Sequence, residues 1–189
     1  SQLSNYKEVA DYCINGQVDK PYQYQKHMTH HMIKNYYEDF ILSLKNVILI
    51  RKPELVLNSY KKKNKNYEFK DLGFQQLYEI FEFIYNRLGY FPLIIDADDL
   101  QNNPELTLRK LCNSLEIPFF MSMLNWSSGS KKYDGIWGVH WYEEINKTTG
   151  FSRRISSNTD KINKKISQKD KNIIHRANKT YLKILEKKI

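Results

Sequence analysis

The sequence predicts an α/β fold, a parallel sheet flanked by helices, and three observations carry that expectation. Val47-Ile48-Leu49-Ile50 is a run of four branched apolar residues, the pattern of a strand buried on both faces in a parallel sheet. A second short apolar run, Pro92 to Asp96, ends in an acidic residue. Between and after these runs the apolar residues recur at helical spacing, so strands alternate with helices, as crossover connections require. At 189 residues with 41% hydrophobic and 14% aromatic content, the chain can bury its own core, which excludes a disordered polymer and favours one domain over residues 1–189.

In chain order, Asn5 to Ile14 reads as a short helix capped by Asn5, with Glu8 three residues on and a stop at Asn15-Gly16. Pro21 to Lys26 has alternating aromatics and is expected to be a strand, followed by the His-rich stretch to Met32. Tyr36 to Leu44 is expected to form a helix leading into the strand at Val47. Pro53 opens the next helix, to Lys62, because its ring pre-sets φ and its missing N–H is not needed there. Asp71 is the expected cap of a long helix from Phe74 to Leu88, whose Leu77, Ile80, Phe81, Ile84 and Leu88 share a face before Gly89 ends it. Asn103-Pro104 starts a helix through Leu115 with Leu108, Leu111, Cys112 and Leu115 as its apolar stripe.

From Pro118 the pattern is irregular, with a small-residue loop from Ser127 to Gly135 and a tryptophan-rich segment from Ile136 to Tyr142. Residues 152–189 read as a polar linker and a carboxy-terminal helix. That helix opens at Ser167 with Asp170 and would dock through Ile173, Ile174, Ala177, Tyr181, Leu182 and Leu185.

A net charge of +9 favours anionic partners, and nucleic acid is the first to weigh. The lysines are dispersed apart from Lys61-Lys62-Lys63-Asn64-Lys65 and the tail, and no nucleic-acid motif accompanies them, so solvated lysines are the expected explanation. No apolar run approaches a membrane span, and no secretory signal is recognisable at the amino end. Cys13 and Cys112 lie far apart without metal-type spacing and are expected to be reduced thiols in a cytoplasmic protein.

Arg51 stands at the carboxyl end of the first predicted strand, where open α/β sheets place ligands, and Ser59 falls about two turns into the following helix. A guanidinium fork and a hydroxyl so placed make a plausible two-point phosphate clamp. The plainer alternative is an ordinary strand–helix unit with a surface arginine. Asp96, Asp98 and Asp99 invite a metal or general-base reading, against which stands a capped loop before the Asn103-Pro104 helix, and the loop is favoured.

Taken in order, several segments resemble the sulfotransferase family of the P-loop nucleotide-binding fold, in a branch also found attached to aminotransferase-like proteins. They are Tyr24-Gln25-Lys26-His27-Met28-Thr29-His30-His31, Leu49 to Pro53 with Ser59-Tyr60, and Asp96 to Pro104. Met123 to Trp126, Asp134 to Trp137, and His140-Trp141-Tyr142 through Phe151 continue the series, so the resemblance runs over 22–151. It implies transfer of a sulfuryl group from 3′-phosphoadenosine-5′-phosphosulfate (PAPS) to an acceptor hydroxyl or amine. It implies that Arg51 and Ser59 hold the donor's 3′-phosphate and that Lys26 steadies developing charge. His27 and His30 compete for the role of base, with a hydrogen-bonded histidine turn as the structural alternative.

Trp126, Trp137, His140, Trp141 and Tyr142 could line an acceptor pocket, although a core or interface role for the aromatics has equal claim. No metal is implied. The family's donor site also uses a strand, a glycine-containing phosphate loop and a helix, and no Gly-x-x-x-x-Gly-Lys-Ser/Thr pattern occurs in this sequence. The resemblance therefore implies a sheet lacking that first unit, and a chain that is incomplete or inactive as a transferase by itself. A non-catalytic nucleotide- or protein-binding module is the alternative. A bared sheet edge further implies self-association, or filling of the gap by the Lys-rich tail.

Overall fold

The fold is described from a computed structural model, which places residues 5–32, 40–131, 134, 138, 142–152 and 166–189. The chain divides into two compact units, one built from residues 1–96 and 161–189, the other from residues 97–160.

In the first unit, strands β1 (Val47–Ile50) and β2 (Leu93–Asp96) pair in parallel, with Val47 opposite Leu93 and Ile50 opposite Asp96. Helix α2 (Pro53–Lys63) and helix α3 (Phe74–Leu88) form the connection. Ile48, Ile50 and Ile94 pack against Phe74 and Phe81 of α3 and against Ala177, Tyr181 and Ile184 of the terminal helix Gln168–Leu185. That layer covers one face of β1. Val47 and Leu49, on the other face, are 39% and 57% exposed, which corrects the expectation of a strand buried on both sides. Four apolar residues in a row mark a strand without saying how many layers will cover it.

Helix α3 serves two clusters. Ile80 and Ile84 turn from the sheet towards Phe40, Ile41 and the Ala10 and Cys13 side chains of α1 (Tyr6–Asn15). Asn5 caps α1 by accepting from the Lys7 N–H, as its sequence signature predicts.

Three local expectations are corrected. Residues 22–28 form no strand. The Gln25 side chain instead donates to the Cys13 carbonyl at 2.8 Å, and Tyr24 is 89% exposed, since alternating aromatics make a strand only where a ladder partner exists. Two strands, not three, are thus found among the described residues. Asp71 does not cap α3. It pairs with Glu68 in a capping box around the turn Phe69–Leu72, and Gly73, at φ 71°, leads into α3. Of the helix expected from Tyr36 to Leu44, residues 36–39 lie outside the described residues, and residues 40–44 form only a single turn, Ile41–Ser43.

In the second unit, the acidic stretch expected as a loop is the short helix α4 (Ala97–Asn102), which carries Asp98 and Asp99 in its first turn. Helix α5 (Pro104–Leu115) follows, tied back where Thr107 Oγ1 donates to the Asp99 carbonyl at 3.2 Å. Of its expected stripe, only Cys112 is fully buried. Both cysteines are free thiols. Among the described residues no helix is long and apolar enough to cross a membrane.

The terminal helix, α6 (Gln168–Leu185), opens with the expected Ser167–Asp170 capping box. It docks through Ile173, Ala177, Tyr181 and Ile184, while Leu182, expected inside, is 54% exposed. Beyond α6 the tail returns to the sheet, and Ile189 N–H donates to the Ile94 carbonyl at 3.1 Å. Leu93 N–H bonds towards β1, and strand groups alternate sides, so the tail takes the edge of β2 that faces away from β1.

Asp170 is 2% exposed and accepts from Lys61 Nζ and Tyr67 Oη, each at 2.6 Å. Burial drives its carboxyl pKa up, but the hydrogen bonds from Lys61, Tyr67 and Ser167, with the Lys61 charge, outweigh burial and hold the group at about 2. Since this lies below the ordinary 3.8, the stabilisation is full above about pH 4 and is lost as pH falls towards 2. Asp170→Asn is expected to cost about 2 kcal/mol at neutral pH, read as a lower urea midpoint. The gap between variant and parent should narrow from pH 4 towards pH 2. An unchanged midpoint at pH 7 would show that the pair contributes nothing net.

Candidate functional site

The carboxyl end of the small sheet gathers the charged candidates. Arg51 follows β1 directly and is half-buried. Asp96 ends β2 in register with Ile50, is 5% exposed, and accepts from the Tyr181 hydroxyl at 2.8 Å. Ser59 sits in α2 on an exposed position. A guanidinium beside a strand end and a hydroxyl on the next helix are both donors, which suits an anion with several acceptor oxygens.

The His-rich stretch belongs to the same unit. Thr29 Oγ1 donates to the Gly73 carbonyl at 3.3 Å, docking the turn Thr29–His31 on the start of α3. Lys26 and His30 are exposed. His27 is also exposed as a whole residue, yet its ring lies 5.6 Å from the Phe40 ring, and its Nε2 sits 3.2 Å from Gln25 Oε1. Partial burial pushes the His27 pKa below its ordinary 6.5, so the ring is mainly neutral at pH 7 and able to accept a proton.

Trp126 belongs to the second unit. Its Nε1 donates to Thr148 Oγ1 at 3.0 Å, its ring meets Phe151 edge-on at 5.2 Å, and its N–H bonds the Thr149 carbonyl. These contacts lie beside the antiparallel bridge between Asn125 and Gly150. Trp137, His140 and Trp141 lie outside the described residues. No group of three or more metal-ligating side chains occurs among the described residues, so the acidic stretch from Asp96 to Asp99 forms no such cluster there.

Sequence reasoning missed Tyr181 and Asp170 as polar anchors. The Ser167–Asp170 box was visible in the sequence, but nothing there links Asp170 to Lys61, 109 residues away.

The described part of the first unit is thus a parallel strand–helix unit with Arg51 directly after β1 and Ser59 on the helix that follows. Residues 1–166 match the family described as the sulfotransferase domain, and the chain belongs to that family. Branched-chain-amino-acid aminotransferase-like protein 2 of Arabidopsis thaliana is 40% identical over 146 residues, covering 77% of this chain and 26% of that protein. Branched-chain-amino-acid aminotransferase-like protein 1 of the same plant is 38% identical over 148 residues, covering 78% and 26%. The chain thus spans about a quarter of the length of these curated relatives. The expected tie to aminotransferase-like proteins is met. No solved structure matches the chain.

Two outcomes follow from this geometry. In an NMR titration His27 should protonate below pH 6.5, and a value at or above 6.5 would remove the argument for its neutral form. Gly73→Ala should cost about 1–2 kcal/mol, because φ is positive and the added Cβ would strike Thr29 Oγ1. A thermal melt equal to that of the parent would show that neither constraint operates.

Proposed function

We propose that this chain is a part of a PAPS-dependent sulfotransferase domain on the P-loop nucleotide-binding fold, holding the donor's 3′-phosphate through Arg51 and Ser59. The observation that carries the reading is membership of the sulfotransferase-domain family, joined to an arginine at the end of β1 and a serine eight residues later on α2. PAPS, when bound, supplies the sulfuryl group. The chain's own contribution is to bind the 3′-phosphate, place the Lys26 ammonium near developing negative charge, and accept the proton of the acceptor hydroxyl or amine. His27, whose ring lies 5.6 Å from the Phe40 ring, and the exposed His30 remain the two candidates for that base.

The sequence contains no Gly-x-x-x-x-Gly-Lys-Ser/Thr loop for the 5′-phosphosulfate. This favours, as second reading, a module that binds the nucleotide without catalysing transfer. Under either reading the 3′-phosphate is the group recognised.

Calorimetric titration with 3′-phosphoadenosine-5′-phosphate (PAP) tests this. Micromolar binding is expected, weakened at least about tenfold by Arg51→Ala, since a charge-assisted hydrogen bond contributes about 1.5–3 kcal/mol. Adenosine 5′-monophosphate, lacking the 3′-phosphate, should bind far more weakly than PAP. Equal binding of the two nucleotides, or none of PAP to folded protein, would refute the clamp. Transfer of sulfuryl from PAPS by the chain alone would reject the non-catalytic reading.

A further inference from the structure

We propose that Asp170 is a positioning residue for the Arg51–Ser59 clamp, acting through Lys61 to set the rotation of α2; this rests on the reading of those two residues as 3′-phosphate ligands. Glu54, Leu57 and Lys61 are spaced i, i+3 and i+7, so they share one face of α2. Helix α6 grips that face near both ends. Asn178 Nδ2 donates to Glu54 Oε1 at 3.4 Å, and Lys61 Nζ donates to Asp170 Oδ2 at 2.6 Å. Leu57, between the two pins, is 2% exposed. Ser59 is two residues from both Leu57 and Lys61, which at 3.6 residues per turn puts it on the opposite face, and it is exposed.

The brace also reaches the other half of the clamp. Tyr181 of α6 bonds Asp96, which stands in register with Ile50, the residue before Arg51. One helix therefore holds both the element that carries Ser59 and the strand end beside Arg51. That helix, Gln168–Leu185, lies beyond residues 1–166 matched as the sulfotransferase domain. Asp170 is itself fixed from three sides, by Lys61, by the Tyr67 hydroxyl and by the Ser167 cap, so it is a rigid anchor for the Lys61 ammonium.

A two-point clamp is sensitive to this anchor because hydrogen bonds fail within a few tenths of an ångström. A side chain on a helix sits about 5 Å from the axis, so a rotation of about 20° displaces a hydroxyl by about 2 Å, enough to lose its partner.

The test is PAP calorimetry on the full chain with Asp170→Asn, Lys61→Met, the double variant, and Ile184→Val, all confirmed folded by circular dichroism at the working temperature. Ile184 is a buried α6 residue in the sheet-facing cluster and serves as the stability control. Asp170→Asn and Lys61→Met should each weaken PAP binding about tenfold, the double variant no further, and Ile184→Val less than twofold. Amides of α2 should exchange faster in both pin variants, while those of β2 stay protected. Lys61→Met keeps the question answerable if Asp170→Asn unfolds. Wild-type affinity in folded Lys61→Met, or equal loss in Ile184→Val, overturns the positioning role while leaving the clamp intact. If the parent does not bind PAP, the clamp reading fails first and the positioning role falls with it.

Discussion

Two parallel strands of four residues make a ladder too short to sustain itself, and the whole first unit is a response to that shortage. Ile48, Ile50 and Ile94 must be covered by side chains from elsewhere. The cover comes from α3, which lies between the strands in sequence, and from α6, which lies more than 70 residues after β2. Ile94 and Ala177 are wholly inaccessible and Ile184 nearly so, which marks the contact of β2 with α6 as the driest part of the core. Burial there contributes on the order of 25 cal/mol per Å² of apolar surface, and it ties the chain's last helix to the centre of the fold.

The polar contacts follow from that docking. Once α6 lies across the sheet, Asp170 at one end and Tyr181 towards the other are carried into low-exposure positions, where each needs a partner. Asp170 finds Lys61 and Tyr67, and Tyr181 finds Asp96. These bonds join parts of the chain 85 to 109 residues apart, so they report tertiary placement and not local sequence. A run of cations along α6 is accommodated in a related way. Lys169, Arg176 and Lys183 lie 4.3, 4.1 and 4.9 Å from the ring centres of Tyr67, Phe69 and Tyr78, so part of the chain's positive charge rests on aromatic faces.

Residues 1–166 carry the sulfotransferase-domain match, and the aminotransferase-like relatives share only about a quarter of their length with the chain. Within the chain, the candidate ligands Arg51 and Ser59 and the Lys26–His31 stretch belong to one unit, whereas Trp126, bonded to Thr148, belongs to the other.

What the sequence determined by itself was whatever depends on near neighbours. The runs at Val47 and Leu93, Pro53 at a helix start, Gly89 at the end of α3 and the Ser167–Asp170 box each rest on preferences within a few residues, and each is realised, whereas the apolar positions of α3 expected on one face divide between two clusters. The order of family motifs was legible for the same reason, since it is a property of the chain and not of space. The strand expected at Pro21 failed because a strand needs a partner, and partnership is not local. The exposure of Leu49, the burial of Asp170 and the pairing of Tyr181 with Asp96 were decided only when distant segments met. Hydrophobic pattern states that a residue can be buried; which face is covered, and by what, is settled by the packing of elements remote in sequence.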